Sequence, residues 1–174
     1  DSYAATLGPP SKGCCFVFRI EDACGVPSRF FKGCSTVEHE ESITYADFNH
    51  DGTRISTASR YDVAKINRLE NGSVKTSADG ELTLAHTADV TLVRFFTRGS
   101  DGKQFVVTCS EDNTARVWDA ETGEPATREL PHAGGVRHAA VDSSGELLVT
   151  GSTVFASIWE LATGRKVAFL RTVA

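Results

Sequence analysis

Apolar and hydroxyl-bearing residues run in stretches of four to seven, and Gly, Asp, Asn or Ser breaks each stretch. ITYADF, VTLVRF and VRHAAV are followed by RISTAS, FVVTCS and LLVTGS. Runs rich in Val, Ile, Thr and Phe with such boundaries predict β-strands. Asp51-Gly52, Asp101-Gly102 and Ser144-Gly145 lie between consecutive runs and predict hairpins. No stretch sustains a 3.6-residue apolar period, so helices should be nearly absent.

The pattern repeats. His39, His86 and His132 open three similar units, over residues 39–72, 86–123 and 132–164, at intervals of 47 and 46 residues. Nine positions after each His stands Phe48, Phe95 or Val141. The units close on Asn71-Gly72, Thr122-Gly123 and Thr163-Gly164. A further apolar stretch follows each closing Gly, such as KVAFLRTV, which makes four short strands per unit. One such sheet cannot bury both its faces, whereas stacked sheets can.

The unit 86–123 carries His86, then TCSEDNTARVWD, then ETG, and it resembles a blade of the WD-repeat β-propeller family. The resemblance covers roughly residues 36–174 and implies an all-β arc of four-stranded antiparallel blades radiating about an axis. It implies a polar tetrad of His86, Thr108, Asp112 and Trp118. Asp112 would accept from the imidazole, the imidazole would engage the Thr108 hydroxyl, and that hydroxyl would meet the Trp118 indole N–H. The neighbouring units depart from the motif. His39 and Thr57 match, but Tyr61 replaces the Asp and Asn67 the Trp. His132, Thr150 and Trp159 match, but GSTVFAS is one residue short and lacks the Asp. Both tetrads are therefore expected to be partial, with turns that are looser or held by other contacts.

The first 35 residues read as a partial blade. YAATLG resembles LLVTGS, CCFVFRIEDACG resembles FASIWELATG, and VPSRFFKGC would be the outer strand. The expected organisation is a partial blade over 1–35 and blades over 36–85, 86–130 and 131–174, forming one propeller or half-propeller. The innermost strand of the first blade would be missing. A ring needs about 4–8 blades. The arc is thus expected to close with another copy of the chain or with the rest of a longer one.

Composition narrows the classes. The 174 residues hold 18 basic and 23 acidic side chains, a formal charge of -5, with 40% hydrophobic residues. This is globular composition. The acid excess argues against a nucleic-acid-binding surface. No apolar run approaches the roughly 18 residues of a membrane helix, and Asp1–Pro10 lacks the layout of a secretory signal. No Met is present, so a trimmed, processed or partial chain is expected. Cys14, Cys15, Cys24, Cys34 and Cys109 fit no common zinc spacing. Buried reduced thiols in a cytoplasmic protein are the preferred reading.

Several motifs tempt. DFNHDG, residues 47–52, matches the start of an EF-hand loop, but Ala58 stands where the bidentate Glu belongs, so a hairpin turn is preferred. Ser110, His86 and Asp112 are the residue types of a hydrolase triad, but no nucleophile elbow is present. Gly102-Lys103 and His39-Glu40 fail as phosphate-loop and metalloprotease motifs at their next positions. Asn71-Gly72-Ser73 is a formal glycosylation sequon read as a turn. No metal and no cofactor is expected.

The resemblance implies a non-catalytic platform for protein–protein contacts on a disc face. That face is built from the loops entering each blade and the second-to-third strand turns. Arg60, Tyr61, Glu111, Asn113 and Phe155 are its candidate partner-binding residues; packing of Tyr61 and Phe155 against the next blade is the alternative. A sensor segment of a multidomain signalling protein is the second reading. A ligand or enzymatic site in the central channel is the third. It would draw on Asp47, Arg94, Arg137 and His138, whose pooled substitution by Ala is expected to leave the fold intact.

Overall fold

The structure is a computed structural model, and it describes residues 2–7, 13–20, 35–70, 73–75, 80–99 and 102–171. All regular structure among them is β. Strands β1 (Ser2–Leu7), β2 (Gly13–Ile20) and β3 (Ser35–His39) form a first antiparallel sheet in that order. Strands β4 (Ile43–Phe48), β5 (Arg54–Ser59), β6 (Val63–Glu70), β7 (Ser73–Val74) and β8 (Glu81–Ala85) form the second. A third holds β9 (Val90–Arg98), β10 (Lys103–Ser110), β11 (Thr114–Asp119) and β12 (Leu130–Pro131). The fourth holds β13 (Val136–Val141), β14 (Leu147–Ser152), β15 (Phe155–Glu160) and β16 (Arg165–Arg171). This is a partial all-β propeller built of meandering sheets.

Turn chemistry sets the hairpins. Gly52, Gly102 and Gly145 adopt positive φ of 68°, 69° and 72° between the first and second strands of the last three sheets. That region costs glycine nothing and side chains a clash.

Two differences from the sequence reading concern outer strands. The third strand of the first sheet is Ser35–His39, paired Gly13↔His39 through Val17↔Ser35. Residues 26–34, the VPSRFFKGC expected there, lie outside the described residues, as do Cys24 and Cys34. Antiparallel pairing with β2 places the strand: Val37 is 2% exposed and lies in the apolar layer with Ile43, Ile55, Leu69 and Val74. The second sheet has five strands rather than four. β6 runs past β8, and β7 folds back on its free end as Leu69↔Val74 and Glu70↔Ser73.

Two larger apolar layers stack the remaining sheets. Ala58, Ala64, Ile66 and Leu84 of the second sheet pack on Val90, Val93, Val106 and Trp118 of the third. Phe105, Val107, Cys109 and Val117 of the third pack on Val136, Ala139, Leu148 and Trp159 of the fourth. Burial pushes the Cys109 thiol up to about 12, which leaves it an inert core group.

Polar ties cross the same layers. Asp47 accepts from the Phe95 N–H at 2.9 Å. Burial raises its pKa, against the pull of that N–H and of Arg94. Asn49 donates to Gln104 at 2.8 Å. Arg54, 7% exposed, reaches the Ala120 carbonyl and the Glu121 carboxylate, both at 2.5 Å. Asp47 is therefore a joint between sheets.

Candidate functional site

The second-to-third strand turn of the third sheet is the most densely bonded. Ser110 Oγ accepts from the Asp112 N–H at 3.0 Å and donates to the Ala88 carbonyl at 3.0 Å. Asn113 takes a φ of 67°, the positive-φ conformation that Asn tolerates best after Gly. Asp112 Oδ1 then accepts from Thr114 N–H at 2.9 Å and from its hydroxyl at 2.7 Å. Oδ2 meets His86 Nδ1 at 2.8 Å and Thr87 N–H at 3.2 Å. Behind His86, Nε2 lies 2.7 Å from Thr108 Oγ1, and Trp118 Nε1 donates to the same oxygen at 2.8 Å.

Donor and acceptor arithmetic fixes the direction of this chain. An indole N–H only donates. The Thr108 hydroxyl therefore accepts from Trp118 and passes its own proton toward His86 Nε2, which leaves Nδ1 protonated for Asp112. His86 is neutral: burial lowers its pKa more than Asp112 raises it. Burial opposes the Asp112 charge, yet hydrogen bonds from Thr114, His86 and the Thr87 N–H outweigh it and hold the carboxyl at about 2. Ser110 faces the Ala88 carbonyl and Asp112 N–H, and Thr108, not Ser110, stands on His86.

The flanking sheets build fragments of the same chain. In the fourth, Trp159 Nε1 donates to Thr150 Oγ1 at 2.8 Å and His132 Nε2 lies 2.7 Å from it. His132 Nδ1 then meets the Leu130 carbonyl at 2.9 Å. In the second, His39 Nε2 lies 2.7 Å from Thr57 Oγ1. Buried His39 Nδ1 and Asn67 Oδ1 have no partner among the described residues. Burial and Lys65, against Glu81, push the His39 pKa down to about 4. Asn67 donates to Glu81 at 3.1 Å rather than to Thr57.

Of the rim residues, Arg60 and Glu111 share one pocket of 410 Å³ with Thr44, Asp89, Thr91 and Arg137. Glu111 Oε1 accepts from Arg137 Nε at 2.8 Å. Tyr61 is 46% exposed outside that pocket. The Asn113 carbonyl accepts from His132 N–H at 2.8 Å. Phe155 packs edge-on against Phe169 of its own sheet at 6.0 Å. Arg94 lines a different pocket from Arg137, so the inner-strand charges do not converge. Thr44 and Thr91 were not anticipated. Thr44 Oγ1 donates to Val90 O and Thr91 Oγ1 to Val136 O, each at 2.6 Å, tying each innermost strand to the next. A signal existed: Thr44, Thr91 and Arg137 each lie five residues after the unit's His.

The segment 47–52 is a hairpin turn. Asp51 Oδ1 accepts from Thr53 N–H at 2.9 Å, and Asn49 Oδ1 accepts from Arg54 N–H at 2.9 Å.

Comparison with known proteins places these turns. The family described as "WD domain, G-beta repeat" matches residues 80–119. The mRNA export factor GLE2 of Chaetomium thermophilum is 33% identical over 95 residues, which are 55% of this chain and 24% of the relative. The chain thus spans about a quarter of that relative's length. The matched repeat runs from Gly80 to Asp119 and so takes β8 from the second sheet and β9, β10 and β11 from the third. With that stagger of repeat against sheet, and with the Trp118–Thr108–His86–Asp112 chain inside the matched residues, the chain carries a WD repeat at residues 80–119.

Proposed function

We propose that this chain is a non-catalytic scaffold that binds protein partners on the rim where its second-to-third strand turns meet the innermost strands. The carrying observation is the 410 Å³ pocket that draws Thr44 and Arg60, Asp89, Thr91 and Glu111, and Arg137 from three successive sheets. A partner docked there reads three repeats at once. Arg60 offers a guanidinium with no acidic partner among the described residues, and Tyr61 beside it an exposed aromatic ring; Arg and Tyr are the types enriched at binding hot spots. Asn113 and Phe155 complete the rim. In this reading the His86 chain is a structural lock that fixes the turn carrying Glu111 and Asn113. The match to an mRNA export factor makes that machinery the first source of partners to try.

The outward face of the fourth sheet supports ring closure by further sheets, from another copy or another part of a longer chain. Leu147, Val149 and Leu170 are 44%, 38% and 62% exposed there, whereas Phe105 and Val107, the counterparts of Leu147 and Val149, are buried by the next sheet.

The test is comparative capture of partners by the wild-type chain and by Arg60→Glu and Tyr61→Ala variants of unchanged urea midpoint. Loss of a defined partner set in the variants is expected. Identical capture by all three would move the interface elsewhere.

A further inference from the structure

The three complete sheets differ at one repeated position on the outer half of the third strand. Thr57 pairs with Lys65, Thr108 with Arg116, and Thr150 with Ser157. Lys65 and Arg116 are long cations with fixed tasks. Lys65 Nζ donates to the Glu38 carbonyl at 3.0 Å and pairs with Glu81 at 3.0 Å. Arg116 donates to the Ala85 carbonyl at 3.2 Å and pairs with Glu129 at 2.9 Å. Glu38 and Ala85 are the residues just before His39 and His86. Each cation thus bridges to the outer strand of the preceding sheet and closes the seam between two sheets.

In the fourth sheet the same seam is open. Ser157 is too short to cross it. Pro131, the residue before His132, instead faces a groove of 470 Å³ with Ser157, Phe155, Lys166 and Phe169. The outer strand has also changed its chemistry. Phe169 pairs with Ser157 at the register that Glu129 would hold opposite Arg116, and Lys166 pairs with Trp159 as Glu81 pairs with Asn67. A position held by Glu129 in the third sheet and one held by Glu81 in the second thus carry an aromatic ring and a cation in the fourth. Lys166 lies 4.6 Å over the Trp159 ring and has no carboxylate partner among the described residues. No acidic residue among the described residues lines the groove. Ser157 is 2% exposed and lines the groove.

We propose that this groove is a docking site for an acidic protein segment that carries an aromatic or large aliphatic side chain beside a carboxylate. The apolar side chain lies between Phe155, Phe169 and Pro131. The carboxylate reaches the Lys166 ammonium, restoring the ion pair that the sister seams make internally, and Ser157 supplies a hydrogen bond. Its volume lies within the range of sites that bury a compact ligand. The site goes beyond the rim reading and shares only Phe155 with it.

The test uses two blocked peptides, acetyl-Gly-Phe-Glu-Gly-amide and its Gln counterpart. The two Trp indole N–H signals are followed by NMR. Saturable shifts at Trp159, with Trp118 unmoved, are expected for the Glu peptide, with about fivefold weaker binding of the Gln peptide, the scale of one exposed ion pair. Ser157→Arg, designed to fill the seam as Arg116 does, should abolish binding while keeping the urea midpoint. Lys166→Glu should reverse the preference toward a Lys-containing peptide. Equal binding of both peptides, no saturable shift, or unchanged binding to folded Ser157→Arg would overturn the proposal.

Discussion

The carbonyl of Leu130 holds His132 Nδ1 at 2.9 Å, in the role that the Asp112 carboxylate plays for His86 at 2.8 Å. A backbone acceptor replaces a side chain, and the shortened turn of the fourth sheet loses no hydrogen bond at its histidine. His39 has neither substitute.

Removal of Asp112 should therefore cost far more than removal of its neighbour. Asp112→Ala leaves His86 Nδ1, Thr87 N–H and Thr114 N–H without their acceptor. A loss of about 1–3 kcal/mol is expected. Glu111→Ala breaks a solvent-facing pair with Arg137 and should cost below about 1 kcal/mol. Urea midpoints of the two variants, compared with wild type, measure the difference. Equal midpoints would mean that the chain of hydrogen bonds carries no stability.

The incomplete turn of the second sheet is repairable. Tyr61 N–H donates to Ser59 Oγ at 3.2 Å as Asp112 N–H donates to Ser110 Oγ at 3.0 Å. Thr57 and Thr108 also stand equally far from their cross-strand partners, Lys65 and Arg116. Tyr61→Asp accordingly places a carboxylate by the unpartnered His39 Nδ1. A gain of about 1 kcal/mol is expected, together with a rise in the His39 pKa. Thermal melting and a histidine NMR titration read both quantities; an unraised His39 pKa would show that the carboxylate misses the ring.

Acid should destabilise the chain in two steps. Folded His39 titrates at about 4 against 6.5 for an unperturbed histidine. The unfolded chain then binds a proton that the folded chain refuses, so this contribution is complete above pH 6.5 and is lost as pH falls toward 4. Folded Asp112 titrates at about 2 against 3.8, so its contribution is lost only below about pH 4. The urea midpoint should fall first between pH 6.5 and 4, a limb to which buried His86 and His132 also contribute, and His39→Asn should make that fall shallower. A pH-independent midpoint across that range would contradict the burial of His39.

Gly102 and Gly145 occupy equivalent hairpins at φ of 69° and 72°, yet their surroundings differ. A Cβ on Gly102 meets nothing within 4 Å among the described residues, whereas one on Gly145 would stand 2.4 Å from the Thr97 carbonyl oxygen. Gly102→Ala should cost about 1 kcal/mol, the backbone term alone. Gly145→Ala should cost clearly more, because the turn must move away from the third sheet. Melting temperatures of the two variants decide it, and equal shifts would argue against that close approach.

The inter-sheet tie at Arg54 offers a further contrast. Arg54→Ala removes the donor to the Ala120 carbonyl and the aliphatic stem that fills the seam, and about 2 kcal/mol or more should be lost. Glu121→Gln keeps the Arg54 contact with that carbonyl and should change the midpoint by less than about 1 kcal/mol.

Much of the fold was legible because hairpin turns and strand runs are local. RISTAS, FVVTCS and LLVTGS with their preceding Gly residues mark adjacent strands, and His86, Thr108, Asp112 and Trp118 meet as a connected chain. Groups that act through register or backbone were not legible. The Leu130 carbonyl has no side-chain signature. The β3 strand is placed by pairing with β2 across residues 21–34, and no local pattern reports that distance. The groove at Ser157 emerges only once Phe169 is known to pair with it. Asp47 was read as a channel charge, but it accepts a backbone N–H of the next sheet.

The stagger between repeat and sheet makes the matched unit a rivet between neighbours. The matched repeat begins with the outer strand of one sheet and ends within the next, so it holds no whole sheet. Loss of residues 80–119 would strip the second sheet of its border while removing most of the third. Damage to one repeat is thereby shared by two sheets, and the stack resists peeling from its middle more strongly than separate modules strung on a chain would.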